Sequence, residues 1–323
     1  MRDVARHAGV SVATVSRVMS GASNVAEATQ SRVQSAVDAL DFVPSPAARA
    51  INSGRTYMIG ALVPTLDHAI FSRFLDALEL TLADHGFSLV VATTNDDPER
   101  EAQRALDLLN LGVEGFVVSG ITRSATFEAL IKRHKTPVIA TSYFDPNSET
   151  PTIGYDNGTA ARQALHHLVD MGHSDILVLS GPTWNNDRTK ARLDALTGCT
   201  QARLTVREIP VTVAAAADHV ATIPAHITAL LCLSDVLAQG ALHGLRRCGL
   251  EVPEDISVIG IDDLPSSHSL WPPLSSVHLP VRRMGACAGE TLAQWIETGE
   301  RAAPINLETR LEPRASVRRI TPA

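Results

Sequence analysis

The segment from Ser11 to Arg17 places polar and small side chains at helical spacing. One outward stripe of such a helix, at positions i, i+1, i+4 and i+5, would consist of Val12, Ala13, Ser16 and Arg17. An arginine can donate paired hydrogen bonds to guanine O6 and N7, and small apolar side chains suit the methyl group of thymine. The stripe therefore has the chemistry needed to read base edges. A small helical hairpin packed into a core is the alternative interpretation.

Two short helical patterns, joined by a tight turn, would position this stripe. Their inward faces are Val4, Ala5 and Ala8 in the first pattern and Val15 and Val18 in the second. Gly9 can adopt the positive φ that ends a helix, and Ser11 stands at an N-cap position with Thr14 three residues later. This is the pattern of a helix-turn-helix, whose second helix enters the DNA major groove. We therefore include Ser11 and Thr14 among the predicted DNA contacts.

A third helix and a linker follow the hairpin. The period of 3.6 residues predicts a helix over 27–41, whose inward face would be Val33, Ala36, Val37 and Leu40. Pro44 ends this pattern, because the residue before a proline is pushed out of the α region. Residues 45–55 contain Pro46, several alanines and Gly54. The segment is too short for a stable isolated helix, so we predict a linker that becomes helical only when supported.

The motifs VARHAGVSVATVSRVMSG, AARAI and GRTYMIG occur in an order and spacing that resemble the lactose-repressor family of bacterial regulators. The resemblance implies that the linker folds into a hinge helix on DNA, with Ala47 and Ala48 at the DNA and Ile51 as an apolar wedge in the minor groove. Such wedges unstack a base step and kink the duplex. The family usually has a capping Thr or Ser before the first helix. We therefore expect either a translation start slightly upstream of Met1 or a first helix that frays.

Composition and charge limit the class of protein. The 323 residues are 45% hydrophobic and 20% charged, which is ordinary for globular chains long enough for two or three domains. The net charge is −7, yet residues 1–56 hold six arginines against four acids, so the slightly basic end is the DNA-like end. No signal peptide or membrane-spanning run is present, which predicts a cytoplasmic protein without a membrane partner. The expected buried thiols are Cys199, Cys232, Cys248 and Cys287.

From Tyr57 onward the pattern alternates between strands and helices. Predicted strands are 58–63, 88–94, 115–119, 138–142, 176–180, 229–233 and 256–261, and predicted helices are 71–85, 99–111, 125–134, 158–171, 188–196 and 236–248. Near-continuous apolar strands between helices indicate parallel sheets covered on both faces. We therefore predict a small all-α helix-turn-helix domain followed by two doubly wound α/β lobes. The resemblance implies the same architecture, that of a periplasmic sugar-binding protein.

The predicted boundaries follow from these patterns. We expect a DNA-binding domain over 1–44, a hinge or linker over 45–56 and a two-lobed effector-binding and dimerisation domain over 57–323. We expect the first lobe to consist of about 57–169 and 281–308, and the second lobe of about 170–280 and 309–323. Motifs such as GHSDILVLSGP, VIGIDD, WPPLSSV and ETRLEPRAS extend the resemblance to the end of the chain.

Doubly wound sheets bind ligands at the carboxyl ends of their strands. The resemblance places a ligand arginine at Arg188, a ligand carboxylate at Asp262 and a further contact position at Ser234. Our own interpretation of the strand-end loops adds His68, Phe71, Asn157 and Trp184. An arginine and a carboxylate can bind sugar hydroxyls, and the C–H face of a sugar packs on indole. Solvated loop residues, helix caps and core packing are the alternative roles.

The sequence contains few features that are typical of an enzyme. No G-x-S-x-G, H-E-x-x-H or P-loop motif occurs, and the adjacent His166 and His167 would point about 100° apart on a helix. We predict no catalytic residues, metal or cofactor. The expected function is a homodimeric regulator, most simply a repressor, that binds a near-palindromic double-stranded operator and responds to a sugar-like effector. A transport-type sugar-binding protein is the alternative, which the N-terminal module and the lack of a signal peptide disfavour.

Overall fold

The computed structural model describes residues 1–19, 25–42 and 54–320. Two compact units divide the chain, Met1–Tyr57 and Met58–Ala323. The predicted linker contacts Ala47, Ala48 and Ile51 lie outside the described residues. Their assignment remains a prediction.

Three helices form the described part of the first unit: α1 (Arg2–Ala8), α2 (Val12–Met19) and α3 (Glu27–Ala39). Gly9 follows α1 with φ 63° and ψ 37°, as the predicted turn requires. The apolar core consists of Val4, Ala5, Ala8, Val15, Val33 and Ala36. Leu40 was predicted to join this core, but it lies beyond the end of α3 and is 41% exposed. The prediction was wrong because the helix ends before the side chain reaches the inward face.

The described part of the second unit, residues 58–320, contains twelve strands. In chain order they are β1 (Met58–Val63), β2 (Ser88–Thr93), β3 (Gly115–Ser119), β4 (Val138–Thr141), β5 (Thr152–Gly154), β6 (Asp175–Ser180), β7 (Arg203–Glu208), β8 (Ala229–Cys232), β9 (Ser257–Asp262), β10 (Ser275–His278), β11 (Ile305–Asn306) and β12 (Arg310–Glu312). They form two sheets, with strand orders β11-β5-β4-β3-β1-β2 and β12-β10-β9-β8-β6-β7. All pairs are parallel except β10 with β12. The two sheets therefore share one strand order and differ in the direction of the edge strands β11 and β12.

Eight helices connect and cover these strands. They are α4 (Ala69–Asp84), α5 (Pro98–Asn110), α6 (Ala125–His134), α7 (Asn157–Asp170), α8 (Asp187–Asp194), α9 (Val213–Val220), α10 (Asp235–Arg247) and α11 (Val281–Thr298). We define the first lobe as residues 58–154 with 281–306, and the second lobe as residues 157–278 with 310–320. Helix α11 returns to the first lobe and packs on α4. Gly285 permits this close packing, since a Cβ there would lie 2.4 Å from the carbonyl oxygen of Phe74.

The chain passes between the lobes three times, at residues 155–156, 279–280 and 307–309. Central strands such as β8 and β9 are buried along their whole length, as near-continuous apolar runs predict. The elements that were not predicted are strands β5, β7, β10, β11 and β12 and helices α9 and α11. The sequence Arg-Leu-Thr-Val-Arg-Glu of β7 lacks an apolar run because this strand lies at the sheet edge and alternates toward solvent.

Cysteine placement differs in part from the prediction. Cys232 is buried in β8, whereas Cys199 and Cys287 are half-buried and Cys248 is exposed. The prediction of a buried thiol was wrong for Cys248, because it follows the last turn of α10 where the chain reaches solvent. Across the described ranges, no helix is both long and apolar enough to span a bilayer.

Candidate functional site

Helix α2 presents the predicted stripe on its outer side. Val12, Ala13 and Arg17 are exposed, whereas Val15 on the opposite face is fully buried. Ser16 is half-buried within the stripe. The structure therefore leaves the outer face of α2 accessible for a groove, as a recognition helix requires.

The start of α2 is fixed by a side-chain cap. The hydroxyl oxygen of Ser11 accepts a hydrogen bond from the backbone N–H of Thr14 at 3.1 Å, and the two hydroxyl oxygens lie 2.9 Å apart. This cap is the one predicted from the sequence. The hydroxyl groups of Ser11 and Thr14 are therefore hydrogen-bonded within the protein. Their contact with DNA stays a prediction.

A cavity of about 330 Å³ lies between the two lobes. Its wall comes from segments at the carboxyl ends of strands and from the helices that follow them, as in other doubly wound folds. Six of the seven predicted effector residues line it: His68, Phe71, Trp184, Arg188, Ser234 and Asp262. Residues that sequence reasoning missed include Asn95, Asp96, Tyr155, Thr189 and Arg192.

Arg188 is buried in this wall and is already engaged by two carboxylates. Its Nη2 donates to Oδ1 of Asp96 at 2.6 Å, and its Nη1 donates to Oδ1 of Asp187 at 3.3 Å. Burial lowers the pKa of a guanidinium, but Asp187 and Asp96 outweigh it here, so the pKa of Arg188 is raised and its charge is permanent. Arg188 lines the cavity, and a guanidinium has five N–H donors, so it can bind ligand hydroxyls in addition to these two partners.

Asp262 lies at the end of β9, 4% exposed. Its Oδ2 accepts from the backbone N–H of Asp235 at 3.3 Å, and its Oδ1 lies 3.8 Å from Nη1 of Arg192. Burial raises the pKa of the Asp262 carboxyl above its usual range, Arg192 opposes the rise, and the neighbouring Asp235 adds to it. The Asp262 carboxyl lines the cavity, where its oxygens can accept hydrogen bonds from ligand hydroxyl groups.

Asn157 does not line the cavity. Its side chain is 98% buried, donates from Nδ2 to the carbonyl oxygen of Ser142 at 2.8 Å, and accepts from Nε of Arg192 at 3.0 Å. The prediction of a direct ligand contact is corrected here, because one end of the amide binds the backbone of Ser142 and the other end holds Arg192. Arg192 also donates to the carbonyl oxygen of Leu233 at 2.6 Å. Asn157 thus supports the wall from behind.

The remaining predicted residues lie around the mouth and wall of the cavity. Trp184 is 80% exposed at its rim, so its indole is accessible rather than packed in a core. The His68 ring stacks on Phe71 with ring centroids 6.4 Å apart, and its Nε2 lies 3.2 Å from the carbonyl oxygen of Val211 in the other lobe. Ser234 caps α10 through its hydroxyl, 3.4 Å from the backbone N–H of Leu237.

Backbone strain is concentrated at the strand ends around this cavity. Six non-glycine residues that follow strands have positive φ, and four of them line the cavity: Asn95, Asp96, Ser142 and Asp262 do so, whereas Asn185 and Asp263 do not. Such conformations are costly for residues with a Cβ and persist where surrounding structure fixes them. They set the directions of the carboxylates of Asp96 and Asp262, which both line the cavity.

The cavity wall is balanced in charge. Its two arginines each face an aspartate, Arg188 facing Asp96 and Arg192 facing Asp262. The residues that complete the wall are uncharged or apolar apart from His68. Within the described ranges, no group of three or more His, Cys, Asp or Glu side chains is arranged to hold a metal ion.

The whole chain can be compared with known proteins. Residues 1–45 match the family model of bacterial regulatory proteins of the lacI family, and residues 165–317 match a periplasmic binding protein-like domain. The transcriptional repressor PurR of Vibrio campbellii is 32% identical over 309 residues, which is 93% of this chain and 92% of the relative. The repressor CytR of Escherichia coli is 30% identical over 88% of this chain and 86% of its own length.

Solved structures agree with these relatives. The Lac repressor dimer bound to operator and the anti-inducer ONPF has a TM-score of 0.86 at 25% identity and covers 98% of each chain. The regulator CelR in complex with cellobiose has a TM-score of 0.69 at 26% identity and covers 97% of this chain and 98% of that one.

A helix-turn-helix module and a two-lobed body with a cavity between its lobes define an effector-controlled DNA-binding regulator. The sequence match and the similarity to solved structures extend over nearly the whole chain. The chain belongs to the lacI family of bacterial transcription regulators.

Proposed function

We propose that the protein is a homodimeric repressor whose operator affinity is set by a neutral, polyhydroxylated effector bound between the lobes. The observation that carries the effector class is the charge-balanced cavity wall, in which Arg188 and Arg192 each face an aspartate. A ligand without net charge can exchange hydrogen bonds with these pairs and leaves no buried charge unpaired. An anionic ligand would have to compete with carboxylates already in place.

Polar groups on both sides of the cavity suit a sugar or sugar derivative. Arg188 supplies donors, and the carboxyl of Asp262 can accept from neighbouring hydroxyls. The exposed indole of Trp184 at the rim offers an apolar face for sugar C–H groups. CelR, a similar structure at 26% identity, was solved with cellobiose, which supports this chemical class for the family fold.

Operator binding rests on the first unit. The exposed face of α2, with Arg17 as its base-reading cation, would enter the major groove. The similar Lac repressor structure is a dimer on its operator. A dimer with two-fold symmetry would read a near-palindromic site, and the predicted contacts of Ala47, Ala48 and Ile51 would lie at its centre. Effector and operator would then prefer different states of the same dimer.

A thermal-shift screen tests the effector class first. The purified protein is heated with neutral mono- and disaccharides including cellobiose, with nucleosides, with sugar phosphates and with small carboxylic acids. A ligand that binds only the folded state raises the melting temperature as its concentration exceeds Kd. We expect the hits among neutral hydroxylated compounds and loss of the shift in Arg188→Ala. Hits confined to phosphates or carboxylates would overturn the charge-balance argument.

Lys190→Ala is the matched control for that screen. Lys190 lies on the same helix as Arg188, but it is exposed and pairs with Asp194 one turn away on that helix. Its removal should leave every ligand-dependent shift intact. A shift lost equally in both variants would show that the helix, rather than the arginine, carries the effect.

A further inference from the structure

The loop that follows β3 in the first lobe forms a receptor for a carboxylate. The backbone N–H groups of Ile121 and Thr122 point to one side, and the Thr122 hydroxyl points with them. Gly120, with φ +74°, turns the chain so that the consecutive N–H groups converge. Successive backbone N–H groups of this kind form an anion-binding nest. We call residues 120–122 the nest.

A buried arginine holds the nest in shape. Arg123 donates to the carbonyl oxygens of Gly120 at 2.7 Å and Thr122 at 2.6 Å. Its side chain is 6% exposed, and its Nε lies 3.2 Å from Oε1 of Glu101 on α5. Because the guanidinium binds the carbonyl oxygens from behind, the N–H groups of the loop remain directed at the cleft.

The carboxylate that fills the nest comes from the other lobe. Oδ2 of Asp187, the first residue of α8, accepts from the N–H of Ile121 at 2.5 Å, the N–H of Thr122 at 2.7 Å and the Thr122 hydroxyl at 3.0 Å. Three donors to one carboxylate oxygen make a strong, charge-assisted contact. A Cβ on Gly120 would lie 2.5 Å from Oδ1 of Asp187, so only glycine fits there.

A second bridge lies beside the first. Arg188 of the second lobe donates to Asp96, which is in the loop after β2 of the first lobe, at 2.6 Å. A Cβ on Gly120 would also lie 2.3 Å from Nη1 of Arg188. Consecutive residues of α8 thus reach two loops of the opposite lobe, and both bridges form at the same edge of the cleft.

From this geometry we infer that Asp187 and the nest form an inter-lobe latch, which holds the two lobes in the arrangement described above. The latch and the proposed effector function are separate claims, since the Asp187 carboxylate lies outside the cavity wall. They are linked through Arg188, which lines the cavity and also contacts Asp187. A ligand that draws Arg188 toward itself therefore acts on the latch.

The latch is tested on the full-length, ligand-free protein by amide hydrogen exchange of the nest. Asp187→Asn replaces the charged acceptor from the second lobe with a neutral amide. Gly120→Ala places a methyl group in the first lobe where the Asp187 carboxylate binds. We expect each change to speed exchange of the Ile121 and Thr122 amides at least tenfold, because these N–H groups lose their acceptor when the lobes separate. Small-angle scattering should show an increased radius of gyration in both variants.

Asp194→Asn is the matched control, since Asp194 ends the same helix, is exposed and pairs through its carboxylate with Lys190 of its own helix. It should leave both exchange and radius of gyration unchanged. Wild-type values in Asp187→Asn and Gly120→Ala would overturn the latch. Faster exchange of the nest with an unchanged radius of gyration in both variants would also overturn it, because the nest would then hold a local cap and not the lobes. Neither measurement uses an effector, so a failed ligand screen leaves this test intact.

Discussion

The guanidinium of Arg188 and the carboxylate of Asp96 lie 2.6 Å apart, and they belong to different lobes. Arg188 is buried in the wall of the cavity, while the Asp96 side chain is 31% exposed at its edge. An ion pair that joins two lobes beside a ligand cavity makes the lobe arrangement and the state of the arginine depend on each other. This is the type of two-state element through which effector and operator affinities can be coupled.

Arg188→Ala should abolish the effector response and spare operator binding. The change removes donors from the cavity wall, whereas the first unit folds around its own core. We expect at least a tenfold loss of effector affinity by calorimetry, with operator binding retained in the absence of effector and changed only as far as loss of the Asp96 bridge shifts the lobes. Lys190→Ala, on the exposed side of α8, is the control. A retained effector response would remove Arg188 from the site.

Arg17→Ala should weaken operator binding by about 1–3 kcal/mol and relax the preference at one base position in each half-site. Arg17 lies on the exposed side of α2, where its guanidinium can reach a guanine edge. Selection of binding sites from a random pool measures this directly. An unchanged base preference would contradict the assignment. Arg203→Ala, in the other unit, is the control and should leave DNA binding unchanged.

Operator affinity should fall steeply with salt. Each phosphate contact releases condensed counterions, so the logarithm of the binding constant declines linearly with the logarithm of salt concentration. The slope should be nearly the same in Arg17→Ala if Arg17 reads a base. A slope reduced by about one unit would instead identify Arg17 as a phosphate contact.

Arg192→Ala should destabilise the protein by about 3 kcal/mol at pH 8. Asp262 would lose the guanidinium that opposes the rise in its pKa, so its buried carboxyl would either stay charged without a partner or take up a proton at a free-energy cost, and Asn157 would lose the donor it accepts from. Urea unfolding measures the loss. The double variant with Asp262→Asn should recover part of the stability, because the unpaired charge is removed. A purely additive loss would show that the two side chains do not interact.

Glu101→Gln should flatten the dependence of stability on pH. Burial raises the pKa of Glu101 to about 7, opposed by Arg123 and Arg188 and reinforced by Asp187 and Asp96. A carboxyl whose pKa is higher in the folded state contributes stability below pH 4.5, and that contribution is lost as the pH rises to about 7.

The variant removes this group from the titration. Between pH 5 and pH 8, the wild type loses the contribution of Glu101 to its unfolding free energy and the variant does not. The unfolding free energy of the variant minus that of wild type should therefore rise by about 2–3 kcal/mol from pH 5 to pH 8. Urea unfolding at the two pH values checks this difference. Glu128→Gln, an exposed acid on α6, is the control and should show no such gain. Equal pH dependence in Glu101→Gln and wild type would contradict the raised pKa.

Local sequence determined the elements and the class of protein. Gly9 and the Ser11 cap are specified within a few residues, and the structure forms both where they were predicted. Apolar runs identified the central strands because a parallel sheet buries both faces of a strand. The order of the short motifs along the chain identified the regulator family, since each motif can be recognised from a few consecutive residues. Edge strand β7 escaped notice because it is half solvated and lacks an apolar run.

Tertiary structure decided what surrounds each functional side chain. Arg188 and Asp262 could be named from the sequence, but their partners Asp96 and Arg192 lie 92 and 70 positions away along the chain. No local period records such pairs. Asn157 has a side chain that could bind a ligand, yet the fold places it behind the cavity wall, where it donates to the carbonyl oxygen of Ser142. A contact between lobes depends on how two sheets pack and where their loops meet, and only the folded chain sets that geometry.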